Sequence, residues 1–202
     1  MTSRYQAKPG EIHWVAVKSI LKYMRRTKDL FLVFRGDTEL SVKGYIDSSF
    51  QTDRDDLKSQ AGFVFMINGS AFSWRSFKEP VVADSTMELE YIAASEAAKE
   101  VVWIRQLLEG LRVVPSAKHL ITLYCDNREA IFQGNEPKSS NKSRHVPRKF
   151  HMIRDYIERK EIEICKVGTD HNIPDPLTKT LPLATHDRHV VFMGLKRMPN
   201  LY

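Results

Sequence analysis

Four acidic residues stand where one pattern of the sequence gives way to another: Asp47, Glu90, Asp126 and Asp175. Asp47 closes an alternating segment, and Asp126 follows the continuous apolar run His119 to Cys125. Glu90 falls in the first turns of a long helical stretch, and Asp175 precedes a final one. Carboxylates at the ends of neighbouring elements suit one chemistry in particular. Mg²⁺ takes oxygen ligands in near-octahedral geometry and keeps several waters. Two such ions ~3.5–4 Å apart activate a water and stabilise the leaving oxygen of a phosphodiester. Taken singly, Asp47 also suits the start of a turn, and Asp126 and Asp175 suit helix N-caps. Glu90 is harder to explain away. It shares a helical face with Ala94, Ala97, Val101, Ile104 and Leu108, an apolar stripe that must pack on something. A carboxylate on a buried stripe is costly unless paired or metal-bound. Glu88 fits a capping box, Ser85-Thr86-Met87-Glu88, and shares its face with Ser95 and Lys99, which reads as a wet face. The chain has no G-x-S-x-G and no P-loop, and its His and Cys residues are too scattered for a zinc site.

The elements that must carry these residues are legible in outline. Glu11 to Arg26 is an amphipathic helix with the apolar stripe Trp14, Val17, Leu21 and Met24, introduced by Pro9-Gly10. The apolar run Leu30 to Phe34 follows, and residues 1–38 are set apart as an appendage to a domain over 39–202. Alternation from Glu39 to Asp47 predicts a strand, and Ser59 to Ile67 and Ser70 to Phe77 predict two more. Asn68-Gly69 between them is a strong hairpin signal, because both turn positions need positive φ. A helix from Ser85 to about Glu109, a doubly buried strand 119–125, a short helix 127–133 and a basic loop 137–144 come next. A helix over 146–160, a strand over 161–167 and a last helix with Pro176 at its first position and Asp175 as its cap complete the order β-β-β-α-β-α-α-β-α.

Composition sets the frame. The 202 residues are 42% hydrophobic and 28% charged, with 9 Gly and 9 Pro, which excludes a disordered or fibrous chain. Apolar runs fall far below the ~18 residues of a membrane span, so no membrane partner is expected. No signal peptide opens the chain, and two cysteines suit a reducing compartment. The net charge of +6 is unevenly spread: +4 over residues 1–40, −3 over 41–135 and +5 over 136–202. An acidic middle between basic ends fits a polyanion joined to carboxylates through a cation.

At these residues the sequence resembles ribonuclease H, and more closely the C-terminal end of the Pol polyprotein of copia-type plant retrotransposons. The matching stretches are Gly44-Tyr45-Ile46-Asp47, Ser59 to Phe65, Ser73-Trp74-Arg75-Ser76, Asp84-Ser85-Thr86 and Glu88 to Ala97. Val102-Trp103-Ile104-Arg105, Tyr124-Cys125-Asp126-Asn127, Arg144-His145, Phe150 to Arg154 and Asp175-Pro176-Leu177-Thr178-Lys179 continue the set. His13 to Lys18 resembles the segment that joins reverse transcriptase to ribonuclease H in that family.

The resemblance implies an α/β, ribonuclease H-like fold: a mixed five-stranded sheet, its first three strands antiparallel, with helices on both faces and an N-terminal helical appendage. It implies Asp47, Glu90, Asp126 and Asp175 as catalytic, metal-binding carboxylates for two Mg²⁺ ions, with Mn²⁺ as a substitute. The implied reaction is endonucleolytic hydrolysis of the RNA strand of an RNA–DNA hybrid during reverse transcription. The implied partners are that hybrid and the reverse transcriptase domain of the same polyprotein, in cytoplasmic virus-like particles. Lys138, Lys142, Arg144, Arg148, Lys149 and Arg154 are the residues placed to contact phosphates. The competing expectation is a catalytically inactive remnant that binds nucleic acid or a protein. In the cellular enzymes a catalytic His lies well upstream of the last Asp; His171, four residues before Asp175, reads instead as a surface loop residue.

Overall fold

The computed structural model describes residues 2–36, 40–50, 58–79, 86–111, 120–127 and 147–198, without the side chains of Arg4, Met87 and residues 147–151. Its centre is a five-stranded sheet in the order β4-β3-β2-β5-β6. The strands are β2 (Val42–Ser49), β3 (Gln60–Ile67), β4 (Ser70–Lys78), β5 (Ile121–Cys125) and β6 (Ile162–Lys166). β2, β3 and β4 are antiparallel neighbours, whereas β5 runs parallel to β2 and β6 parallel to β5. The β3–β4 turn is the expected one: Asn68 and Gly69 adopt φ of 48° and 81°.

Side chains alternate across the sheet. Ile46, Phe63, Phe65, Leu123 and Cys125 face α2 (Thr86–Leu111), a 26-residue helix. The stripe Ala94, Ala97, Val101, Ile104 and Leu108 is buried against them. α3 (Pro147–Glu158) packs on the same side through Ile153. Val64, Met66 and Ala71 face the other way, onto Ile173, Leu177 and Phe192 from the C-terminal segment. That segment contains α4 (Asp175–Thr178) and α5 (Leu183–Phe192).

Three expectations are corrected. Ser95 is completely buried and Glu88 half-buried, so only Lys99 of that helical face is exposed. The reason is that α3 packs beside α2 on that flank: its Ile153 joins the core cluster of Tyr91 and Ala98, the residues one helical turn either side of Ser95. Asp175 is the first helical residue of α4 rather than its cap, a place taken by Pro174. The chain then continues into α5 and a short strand, β7 (Leu195–Arg197), which the periodicity did not disclose. The helix expected over 127–133 and the loop over 137–144 lie outside the described residues, Asn127 apart.

The two ends of the chain meet. β1 (Leu30–Leu32) pairs antiparallel with β7 as a separate ribbon. Ser70 Oγ donates to the Val33 carbonyl at 2.5 Å, and Val33 N to the Gly194 carbonyl at 3.1 Å. The Ala71 amide donates to the Met193 carbonyl at 2.9 Å. The β3–β4 turn therefore clamps both ribbon strands. Upstream, α1 (Glu11–Thr27) begins after Gly10 and buries none of its residues. Its Arg26 pairs with Asp187 of α5 at 2.8 Å.

Gly194 is the tightest point of this clamp. Its φ is +86°, and a Cβ there would stand 2.6 Å from Ser70 Cα and 2.7 Å from the Gly69 carbonyl oxygen. Gly194→Ala should lower stability by about 2 kcal/mol or more, from left-handed strain and overpacking together. Denaturant unfolding followed by circular dichroism checks this, and an unchanged midpoint would show that the clamp adds nothing.

Candidate functional site

Parallel pairing places two carboxylates side by side. Tyr45 and Tyr124 are register partners in β2 and β5, with rings stacked at 4.9 Å. Asp47 and Asp126 each lie two residues further on, on the same sheet face, where the strands end. α2 delivers Glu90 from its first turns to the same end. Carboxylate oxygens of Asp47, Glu90 and Asp126 all lie within 4.8 Å of one another. Asp47 is 1% exposed and Glu90 5%.

Neutral donors hold two of the three. Ser48 Oγ donates to Glu90 Oε1 at 2.5 Å, and the Cys125 thiol lies 3.4 Å from Glu90 Oε2. Asn172 Nδ2 donates to Asp47 Oδ1 at 3.0 Å and to the Ile46 carbonyl at 3.1 Å. The Thr178 hydroxyl bonds Asp47 Oδ2 and lies 3.1 Å from the Asp175 carbonyl. Asp175 is buried beside this group, but its carboxylate turns to Lys179, with Asp175 Oδ1 3.0 Å from Lys179 Nζ. The same Nζ is 4.0 Å from Asp47 Oδ2.

Burial dominates the electrostatics. It pushes Asp47 up to about 7, against the opposing pull of Thr178 and Lys179. It pushes Glu90 up to about 8, opposed by Ser48 and reinforced by Asp47 and Asp126. Burial, with Glu90 beside it, also raises the Cys125 thiol well above its ordinary value. Three clustered carboxylates, two of which hold protons near neutral pH, are a site short of positive charge. A hard divalent cation with oxygen ligands fits that donor set.

The structure thus brings together Asp47, Glu90 and Asp126, with Asp175 adjoining through Lys179. Of the expected phosphate-contacting residues, only Arg154 has a described side chain. Arg154 lies on α3, where its charge partly opposes the burial that pushes the Tyr91 phenol up to about 12. Lys138, Lys142 and Arg144 lie outside the described residues, as do the side chains of Arg148 and Lys149. His171 is exposed and packs near the Phe192 ring at 5.6 Å. Sequence reasoning passed over Ser48, Asn172, Thr178 and Lys179. The last two stand three and four residues after Asp175, a helical spacing that signalled a shared face. Nothing local signalled Asn172.

No protein-family model matches the chain. It is 36% identical over 182 residues, 90% of its length, to the retrovirus-related Pol polyprotein from transposon TNT 1-94 of Nicotiana tabacum. The corresponding polyprotein from transposon RE2 of Arabidopsis thaliana is 28% identical over 98% of the chain. This chain is a homologue of copia-type retrotransposon Pol polyproteins. The Pol homologue spans 13% of the length of either relative. In three dimensions it resembles LC11-RNase H1, isolated from compost by a metagenomic approach, with a TM-score of 0.51 and 15% identity. That match covers 68% of the Pol homologue and 92% of the other chain, and it shows a ribonuclease H-like fold. Among its described residues, no helix is long and apolar enough to cross a membrane.

Without divalent cations, the native Pol homologue keeps protons on Asp47 and Glu90 that its unfolded chain gives up. The native state then binds more protons, so stability falls as pH rises. Melting temperatures in EDTA should fall from the ordinary carboxylate range up to about 7 for Asp47 and about 8 for Glu90. An Asp47→Asn, Glu90→Gln double variant should show a flatter profile over the same window. Parallel profiles would mean that the two carboxyls ionise as freely as in the unfolded chain.

Proposed function

We propose that this chain hydrolyses the RNA strand of RNA–DNA hybrids, with divalent metal ions, Mg²⁺ first among them, held by Asp47, Glu90 and Asp126, and with Asp175 joining the set. The observation that carries this is the meeting of three carboxylates from β2, β5 and α2 within 4.8 Å, at the strand ends of a ribonuclease H-like sheet. The relatives supply the setting, since a retrotransposon must remove its RNA template once DNA has been copied from it.

Bound Mg²⁺ would supply an activated water and stabilise the leaving 3′ oxygen of the phosphodiester. The chain's own residues fix the geometry. Asn172 and Thr178 orient the Asp47 carboxylate from two sides, and Ser48 orients Glu90. Their bonds pre-set the ligand directions, so little reorganisation accompanies binding. No nucleophilic side chain takes part. Choice of RNA over DNA rests on the 2′-hydroxyl of the cleaved strand. The basic set Lys138, Lys142, Arg144, Arg148, Lys149 and Arg154 supplies phosphate contacts without base readout.

A labelled RNA–DNA hybrid incubated with Mg²⁺ should be cleaved in its RNA strand, beside intact duplex DNA and single-stranded RNA. Asp47→Asn should lower that rate by more than about 100-fold, beyond the usual effect of losing an outer-shell partner. Undiminished cleavage by the variant would overturn the mechanism. No cleavage by the wild type, with hybrid binding retained, would favour a binding-only role.

Neutralising Lys142, Arg144 and Arg148 together should weaken binding to hybrids of every sequence. It should also reduce the slope of log K against log salt by roughly 0.7–0.9 per lost contact. An unchanged slope would place the phosphate contacts elsewhere.

A further inference from the structure

Asp47 belongs to two clusters at once. On one side its oxygens join those of Glu90 and Asp126 within 4.8 Å, a group that does not include Asp175. On the other, Lys179 reaches in from the end of α4, with its ammonium 3.0 Å from Asp175 Oδ1 and 4.0 Å from Asp47 Oδ2. The Asp47 and Asp175 side chains are only 2% and 5% exposed, whereas that of Lys179 is 31% exposed. A tethered monovalent cation thus stands at the junction of two buried carboxylates, with an open route to solvent behind it. It is the only Lys or Arg that the ion pairs among the described residues bring to Asp47 or Asp175.

We propose that Lys179 is a built-in counter-ion that holds the Asp47–Asp175 position against a divalent cation, so that metal uptake is stepwise. The first ion enters the Asp47–Glu90–Asp126 group without disturbing Lys179. A second, shared by Asp47 and Asp175, enters only as the ammonium swings out. The physical basis is competition at a shared ligand. A divalent ion interacts more strongly with two carboxylates than an ammonium does, but it must be stripped of water and must displace a cation that the chain holds in place. The proposal rests on the metal-dependent reading above and adds an order of filling and a residue that sets it. Lys179 acts as a positioning residue and touches no reacting atom.

Mn²⁺ binding to the full chain at fixed pH, by calorimetry and by the electron paramagnetic resonance of free Mn²⁺, tests this without any nuclease assay. The wild type should bind one ion tightly and a second at least about 10-fold more weakly. Lys179→Met should tighten the second site by about 10-fold or more and leave the first nearly unchanged. Lys179→Arg, which keeps the charge, should restore the wild-type separation. Lys179→Gln repeats the neutral test should the Met variant fail to fold. An unchanged second site in a folded neutral variant overturns the proposal while one-ion binding sustains the metal reading. No Mn²⁺ binding by the wild type overturns both.

Discussion

The parallel pairing of β2 with β5 is the constraint on which the site depends. Parallel strands end at the same edge, so residues at equal distances past a register pair come out as neighbours. Here the pair is Tyr45 and Tyr124, and the residues two further on are Asp47 and Asp126. An antiparallel partner would have carried its last residue to the opposite edge, as β3 does: Asp47 stands opposite Gly62, near the start of that strand. Ligand sites in open α/β sheets gather at carboxyl-terminal strand ends for this geometric reason. Once β2 and β5 pair this way, α2 needs only to cross the sheet with its apolar stripe down for Glu90 to reach the same edge.

The burial that makes the site also strains it electrostatically. Carboxylates so close together in a poorly hydrated place repel one another and resist ionisation. The chain relieves part of this with neutral donors, Ser48 on Glu90 and Asn172 and Thr178 on Asp47, and part with one cation, Lys179. What remains is a group whose ionised form is incomplete without further positive charge. That imbalance is the physical basis of the proposed affinity for a divalent cation.

The C-terminal segment does two jobs at once. Ile173, Leu177 and Phe192 cover the second face of the sheet, while Asn172, Asp175, Thr178 and Lys179 from the same stretch complete the site. Its end, β7, returns to pair with β1 and is clamped with it by the β3–β4 turn. The segment that supports Asp47 is thus tied down at both ends, by packing on the sheet and by the ribbon. α1, by contrast, leaves Trp14, Leu21 and Met24 more than half exposed, which fits its lack of a place in either core cluster.

Local pattern was enough for much of this. Alternation disclosed β2, Asn68-Gly69 disclosed the turn between β3 and β4, and the stripe on α2 separated Glu90 from Glu88. Each is a property of neighbours along the chain, where side-chain period and turn chemistry act. The burial of Ser95 was not legible, because α3 packs on that side of α2 and no helical period records a lateral neighbour. Nor was the β1–β7 ribbon, whose two three-residue strands lie 165 positions apart at Leu30 and Leu195 and carry no period of their own. The sequence by itself determined which carboxylates stand at element ends and which helical face goes inward. Only the tertiary structure decided that three of them meet, that Asn172 and Thr178 hold Asp47, and that Lys179 stands between Asp47 and Asp175. Asn172, Thr178 and Lys179 reach Asp47 from more than a hundred positions away, and the three carboxylates are themselves far apart in the chain; their distances are set by sheet register and layer packing, which no local pattern encodes.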